Sequence, residues 1–384
     1  PRSTQGVSSA ASDVYKRQGQ KKPFTGTVFA NYKNKGRKLR GNYKNGLRNG
    51  LWTHWNDEGK KEREESYKLG KKDGNWTYFD ENGIRERTET FLKGKPSGKL
   101  TYFYSNGKRE KEEFYLKGSR EGKWTDWYEN GKKEKEEFYT KDKKNGKWTY
   151  YNEKGRRESI VSYKNDLRDG RSTYWYGSGN RKEREENWRQ DRENGLWTWW
   201  NARGKKIKEG SYKDGQKHGI WAIYDSRGRK MEENQWKNGE LSGKSFQWDQ
   251  RGNKIVLKSF KADEKNGLWT WWSKSGRKQK EGNYKIGQKH GTWTFFYPNG
   301  KKKRVENYWN DKKHGKLTVW YETGQKERNE SYRNDKKHGK WIYWYGNGKL
   351  EKEEEYKNGV QTLSLIHISE PTRRTPISYA VFCL

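Results

Sequence analysis

Gly195 to Gly219 reads GLWTWWNARGKKIKEGSYKDGQKHG, and the order of residues in that stretch decides the fold. A short run rich in tryptophan and threonine leads to Gly204. A longer run of alternating charged and aromatic residues then leads to Asp214-Gly215, and the next glycine restarts the pattern. Aromatic and β-branched residues suit a pleated surface, while glycine, asparagine and aspartate between such runs mark tight turns. One such stretch reads as two strands and two turns.

The stretch recurs along the chain. Glycines stand at 26, 50, 74, 98, 122, 146 and 170, then at 195, 219, 243, 267, 291, 315 and 339, every interval being 24 residues except the 25 between Gly170 and Gly195. A fixed period of this length signals a repeat architecture. With the glycine as position 1, position 3 is usually tryptophan: Trp52, Trp76, Trp124, Trp148, Trp197, Trp221, Trp269, Trp293 and Trp341. Position 6 is aromatic from the second repeat onward, as Trp55, Trp127, Trp200, Trp272 and Trp344 illustrate. Position 18 is aromatic in nearly every repeat, including Tyr67, Phe91, Tyr115 and Tyr139, and in the 25-residue repeat that aromatic, Trp188, is displaced by one.

Position 10 is glycine, often after asparagine, as in Asn82-Gly83 and Asn130-Gly131, and position 21 is glycine or aspartate. Asn-Gly between two such runs predicts a hairpin with a type I′ turn, whose central residues need positive φ. A helix would lose ~1 kcal/mol at each internal glycine. The expected fold is all-β: an elongated single-sheet solenoid of antiparallel β-hairpin repeats, about fourteen of them over residues 19–362. Two strands per repeat advance such a sheet by ~9.6 Å. Alternation places positions 3 and 5 on one face and positions 4 and 6 on the other. The tryptophans at 3 and 6 are the expected structural core, leaving position 5 residues such as Trp199, Trp271 and Tyr150 as candidate binding aromatics.

The flanks break the pattern. DVYKRQ (Asp13–Gln18) and LSLIHI (Leu363–Ile368) can be encoded by complementary strands of one DNA element. The fuller flanking strings resemble translated adapters of a transposon-based sequencing library, so residues 1–18 and 363–384 are expected to be non-native and are set aside from fold reasoning. Without them the chain keeps 82 basic and 49 acidic residues, a net charge of +33, and no cysteine. That excludes a disulfide framework and carries no mark of compartment; cytoplasm and cell envelope both fit. High charge with few aliphatic residues reads by composition as disorder. Here the periodic aromatics, each burying roughly 150–250 Å², supply the missing core.

At this point the repeats, with G-x-W-x-x-[WYF], Gly at 10 and the aromatic at 18, are seen to resemble the MORN-repeat variant family, the second type of MORN repeat. The opening KKPFTGTVFANY (Lys21–Tyr32) resembles the lead-in of bacterial members classed as antitoxins of toxin–antitoxin systems. The resemblance implies a β-hairpin solenoid that mediates binding, with no catalytic residue. Position 16 departs from the family pattern: Gly210 and Gly282 are usual there, whereas Glu65, Glu113 and Glu354 are not.

A search for chemistry returns little. His218, His290, His314 and His338 each precede a repeat glycine. Repeats ~9.6 Å apart keep them from sharing a zinc ion, which imidazole binds at about 2.0–2.1 Å. Gly239–Ser245 has one residue too few between its glycines for a phosphate-binding loop. Carboxylates repeat beside lysines as a solvated face would, so neither enzyme activity nor a cofactor is expected. Basic pairs recur at the turns, notably Lys312-Lys313 and Lys336-Lys337, and are the candidate binding cations. The expected partner is a protein, acidic in character. Nucleic acid or an anionic membrane surface is the alternative, through phosphate contacts or lipid charge.

Overall fold

The computed structural model describes residues 22–177 and 179–366, and the chain divides into two blocks, residues 1–204 and 205–384. In both blocks every described strand pairing is antiparallel, and the described residues contain no helix. The repeat beginning at Gly50 shows the plan of the first block. A short strand (Gly50–Trp55) pairs with a long one (Lys61–Lys68), which turns into Lys71–Lys72 and then the next short strand, Gly74–Phe79. The second block follows the same plan, with some repeats fusing the last two strands, as in Gln288–Phe296. Position 1 faces position 18, as Gly50 faces Tyr67 and Gly291 faces Tyr308. The all-β hairpin array read from the sequence is what each block contains.

The last strand, Val360–Ile366, runs past Thr362, where the sequence reading ends the array. Residues 1–18 and 367–384, set aside as adapter-like, lie outside the described residues.

The two turns exchange the roles that the sequence suggested. At the first turn only the glycine has positive φ (Gly83, 79°; Gly131, 86°), not the asparagine before it. Gly131 N–H donates to Tyr128 O and Tyr128 N–H to Lys132 O, with a register shift between Asp126 and Trp127. That is a three-residue loop with a bulged glycine rather than a type I′ turn. Asn130 is held instead by its side chain, which accepts from Lys132 N–H (2.8 Å) and donates to Glu153 O in the next repeat (2.9 Å). The type I′ geometry belongs to positions 20 and 21, both with positive φ, as at Leu69-Gly70 (48° and 78°) and Asn334-Asp335 (50° and 65°).

Position 21 also ties repeats together. Its N–H donates to the carbonyl of position 23 one repeat earlier, as Gly70 does to Arg48 and Asp335 to Lys313. Where the residue is aspartate, its carboxylate also accepts the N–H of that earlier residue: Asp142 from Arg120 (2.8 Å), Asp335 from Lys313 (2.7 Å). Glycine avoids strain at this φ; aspartate tolerates it and adds a second inter-repeat bond.

The core is a ladder of rings on one face. Tryptophans at position 3 are buried (Trp52 is 1% exposed), and each indole N–H donates to a backbone carbonyl of the preceding repeat, Trp76 to Ser66 O at 2.9 Å for example. The ring at position 18 leans on the next tryptophan in one of two ways, and position 16 selects between them. Where position 16 is glycine, the rings stand perpendicular: Tyr43–Trp52 at 89°, Tyr212–Trp221 at 86°, Tyr284–Trp293 at 88°. Where it is glutamate, they tilt: Tyr67–Trp76 at 60°, Tyr115–Trp124 at 56°, Tyr332–Trp341 at 59°. The glycine lets the indole lie over the backbone; a side chain there turns it away. Where position 3 is serine, at the fully buried Ser172, the facing position 16 of the preceding repeat is the buried Val161.

The 25-residue repeat places its extra residue in the first turn. Tyr176 N–H reaches Arg181 O, one residue further than its counterparts, and Gly170 still faces Trp188. The insertion therefore leaves the strand register intact.

Candidate binding surface

The ladder face carries more than rings. Positions 14, 16 and 18 point the same way, so the sequence Arg-Val-Glu-Asn-Tyr (Arg304–Tyr308) sets a cation, a buried carboxylate and a phenol side by side. Arg304 pairs with Glu306 at 2.6 Å and the Tyr308 hydroxyl donates to Glu306 at 2.5 Å. Arg328–Glu330–Tyr332 repeats this at 2.8 Å for both contacts, and Lys111–Glu113–Tyr115 at 2.5 and 3.0 Å. Burial raises the tyrosine pKa at position 18, and the neighbouring glutamate raises it further, keeping the hydroxyl a donor. A buried charge is tolerable only when paired and hydrogen-bonded, and this triplet satisfies both conditions. It is legible in sequence as a cation-x-Glu-x-Tyr spacing, which sequence reasoning passed over as a solvated charged face.

The expected basic pairs divide between two surfaces. Lys312 and Lys336 are exposed, while Lys313 and Lys337 are half-buried. Lys337 lies 4.2 Å from the Trp341 ring centre and 4.5 Å from that of Tyr356, and Lys313 lies 5.0 Å from that of Tyr332. Lys72 and Arg48 cap Trp76 and Trp52 likewise, at 3.9 and 4.6 Å. Adjacent strand residues point to opposite faces, so one cation of each pair stabilises the ring ladder and the other meets solvent. On the other edge the lysines after Gly131 and Gly300 do structural work too: Lys132 Nζ donates to Lys154 O and Lys301 Nζ to Thr323 O, each in the next turn.

The candidate aromatics at position 5 are half-buried members of the ladder. Trp199 sits 5.7 Å from Trp197, Trp271 lies 5.7 Å from Trp269 and 6.0 Å from Trp293, and Tyr150 packs against the cluster of Trp124, Tyr139 and Trp148. Lys280 covers the Trp271 ring at 4.3 Å. The tryptophans at position 6 (Trp55, Trp127, Trp200, Trp272 and Trp344) are half-buried on the opposite face, beside largely buried threonines at position 4. Cations at position 12 approach several of them, Arg109 reaching 4.8 Å from Trp127.

That second face holds what the ladder face lacks. Its exposed position 2 residues include aliphatics (Leu51, Leu196, Ile220, Leu268) and lysines (Lys99, Lys123, Lys147, Lys316). At position 19, beside the type I′ turn, stand exposed cations that sequence reasoning did not single out: Lys164 and Arg189 in the first block, Lys213, Lys237, Lys261 and Lys285 in the second. Their uninterrupted recurrence at the repeat period was the available signal. Among the described residues no cluster of His, Cys, Asp and Glu could hold a metal ion.

A family model matches the repeat frame. Seven segments match the family model described as MORN repeat variant: residues 48–69, 96–117, 120–141, 193–214, 289–310, 313–334 and 337–358. Most of these segments run from the residue at position 23, where a cation caps the rings, to the first residue of the next type I′ turn. No curated protein matches the chain. Among solved structures, a chain in the crystal structure of TcdB2-TccC3-Cdc42 is similar at 11% identity over 88% of this chain, with a TM-score of 0.17. A chain of the Photorhabdus luminescens Tc holotoxin pore is similar at 14% identity over 88%, with a TM-score of 0.16. This chain spans 24% and 18% of the lengths of those two.

Proposed function

We propose that the chain is a non-catalytic binding scaffold that captures an acidic protein partner on the face carrying positions 2 and 19. One observation carries this reading: the aromatic rings of the ladder are already occupied, whereas aliphatic side chains and lysines share the outer surface. Trp76, for instance, has Tyr67 and Phe91 against it and Lys72 over its ring. Single-stranded nucleic acid without base readout relies on open ring faces for stacking. Exposed Leu51, Leu196, Ile220 and Leu268 beside position 19 cations suit a protein segment that mixes carboxylates with apolar side chains. An antitoxin-like neutraliser is one form of this reading, with the toxin as the acidic partner.

The test compares probes of equal charge on the full chain by calorimetry, at about 0.05 and about 0.15 M salt. The probes are a Glu/Leu amphipathic peptide, poly-glutamate, an oligo-dT strand and vesicles containing phosphatidylserine. The amphipathic peptide should bind tightest and lose least at the higher salt, because part of its binding is apolar burial. Tighter, salt-resistant binding of oligo-dT or vesicles overturns the proposal.

A further inference from the structure

Trp309 breaks the pattern of the array. It is the one tryptophan among the described residues that is exposed, at 54%. It stands at position 19, where the neighbouring repeats carry the exposed Lys285 and Arg333. Its indole is held from one side by the His290 ring, 4.6 Å away between centres and tilted by 48°. Lys312 faces it directly across the type I′ turn, and Lys336 occupies the equivalent place one repeat on. Both are exposed.

The carboxylates of this edge are engaged elsewhere. Asp311 accepts the backbone N–H of Lys289 at 2.8 Å, and Asp335 that of Lys313 at 2.7 Å. The surroundings of Trp309 are therefore an apolar ring framed by cations whose nearest acids serve the backbone. Tryptophan and arginine are the residues most enriched among those that dominate binding energy at protein interfaces. Position 19 elsewhere carries lysine, arginine, the exposed Leu92 and Leu116, or Thr140, so the fold is met there by side chains of several kinds and nothing in the packing calls for an indole here.

We propose that Trp309 anchors a binding site for an acidic peptide segment that carries an apolar side chain. That side chain lies on the open part of the indole, and the flanking carboxylates pair with Lys312, Arg333 and Lys336. The inference rests on the protein-binding reading above and adds the place and the chemistry of the contact. A nucleic-acid strand fits less well: stacking of successive bases needs successive rings, and the position 19 residues on either side of Trp309 are cations.

The experiment titrates a fluorescein-labelled Glu/Leu peptide, followed by anisotropy, into the full chain and into the Trp309→Lys and Lys154→Ala variants, Lys154 being an exposed first-turn residue outside positions 2 and 19. Trp309→Lys introduces the residue that most repeats carry at this position, so it should fold, and matched thermal melts verify that. It also adds a positive charge, so binding by charge alone would become tighter. We expect instead at least about a tenfold rise in Kd, the loss typical of a central tryptophan anchor, with less than about a twofold change for Lys154→Ala. Wild-type binding that Trp309→Lys leaves equal or tighter overturns the anchor while sparing the scaffold reading. Absence of wild-type binding overturns both. An oligo-dT strand whose binding needs Trp309 while peptide binding does not would make the site one for nucleic acid and overturn the proposal.

Discussion

The indole of Trp293 fills the space that a side chain on Gly282 would need. A Cβ on Gly282 would stand 2.1 Å from Cδ2 of that ring. Gly210 with Trp221 and Gly41 with Trp52 have the same relationship, at 2.0 and 2.1 Å. These three positions lack positive φ, so the glycine is required by the approach of a ring and not by its backbone conformation.

Gly282→Ala should therefore destabilise the second block by about 1–3 kcal/mol, the range for overpacking a filled site. Urea denaturation with the tryptophan signal measures it. An unchanged midpoint would mean that the ring moves freely to the tilted arrangement found over glutamate.

Glu136 gives the array an acid-sensitive contact. Burial alone would raise its pKa, but hydrogen bonds from Lys123, Lys133 and Tyr151 bring it down to about 2 from the ordinary 4.5. A carboxylate with a lowered native pKa contributes stability that is complete above the unfolded value and lost as pH falls through the folded one. Its contribution should thus disappear between about pH 4.5 and 2. Denaturation of Glu136→Gln across that range should show a shallower loss of stability than wild type. Parallel curves would remove this pair from the account.

Tyrosine at position 7 stitches one repeat to the next. Tyr104 donates to Trp127 O at 2.5 Å, Tyr128 to Tyr151 O at 2.7 Å and Tyr321 to Trp344 O at 2.9 Å. The register shift beside each accepting carbonyl accompanies this bond. Tyr128→Phe should cost about 1 kcal/mol, the usual net value of one hydrogen bond. In hydrogen exchange the loss should concentrate around Tyr128 and Tyr151; an even loss along the first block would contradict a local tie.

The period, the strands and the buried tryptophans at position 3 were legible because glycine and large aromatics each have one dominant local use. What escaped sequence reasoning depends on the neighbouring repeat. Asn130-Gly131 looks like a type I′ turn in isolation, but the asparagine is occupied with Lys132 and Glu153. Lys312 and Lys313 look equivalent on paper, although a single step along a strand changes the face each one serves. Trp309 carries no mark in the linear sequence that separates it from the buried tryptophans, and only its place beside the turn leaves more than half of it open. The glutamates at position 16 looked solvated because their partners, two residues away on either side, share a face that the linear sequence does not display.

The aspartates at position 21 have a consequence for how such a gene can change. The bond from Asp335 to Lys313 spans 22 residues, as does that from Asp142 to Arg120. Tyr128 reaches 23 residues forward to Tyr151. Each tie of this kind joins a residue only to the repeat beside it. Loss or duplication of one whole period by unequal recombination therefore keeps position 21 beside position 23 of the repeat before it, and position 7 beside the position 6 carbonyl of the repeat after it. Loss of a single residue within a strand would instead turn the following side chains to the opposite face. Whole-period steps are the natural units of length variation in this chain, and a single-residue step is accommodated where the extra residue lies in a turn, as between Tyr176 and Arg181.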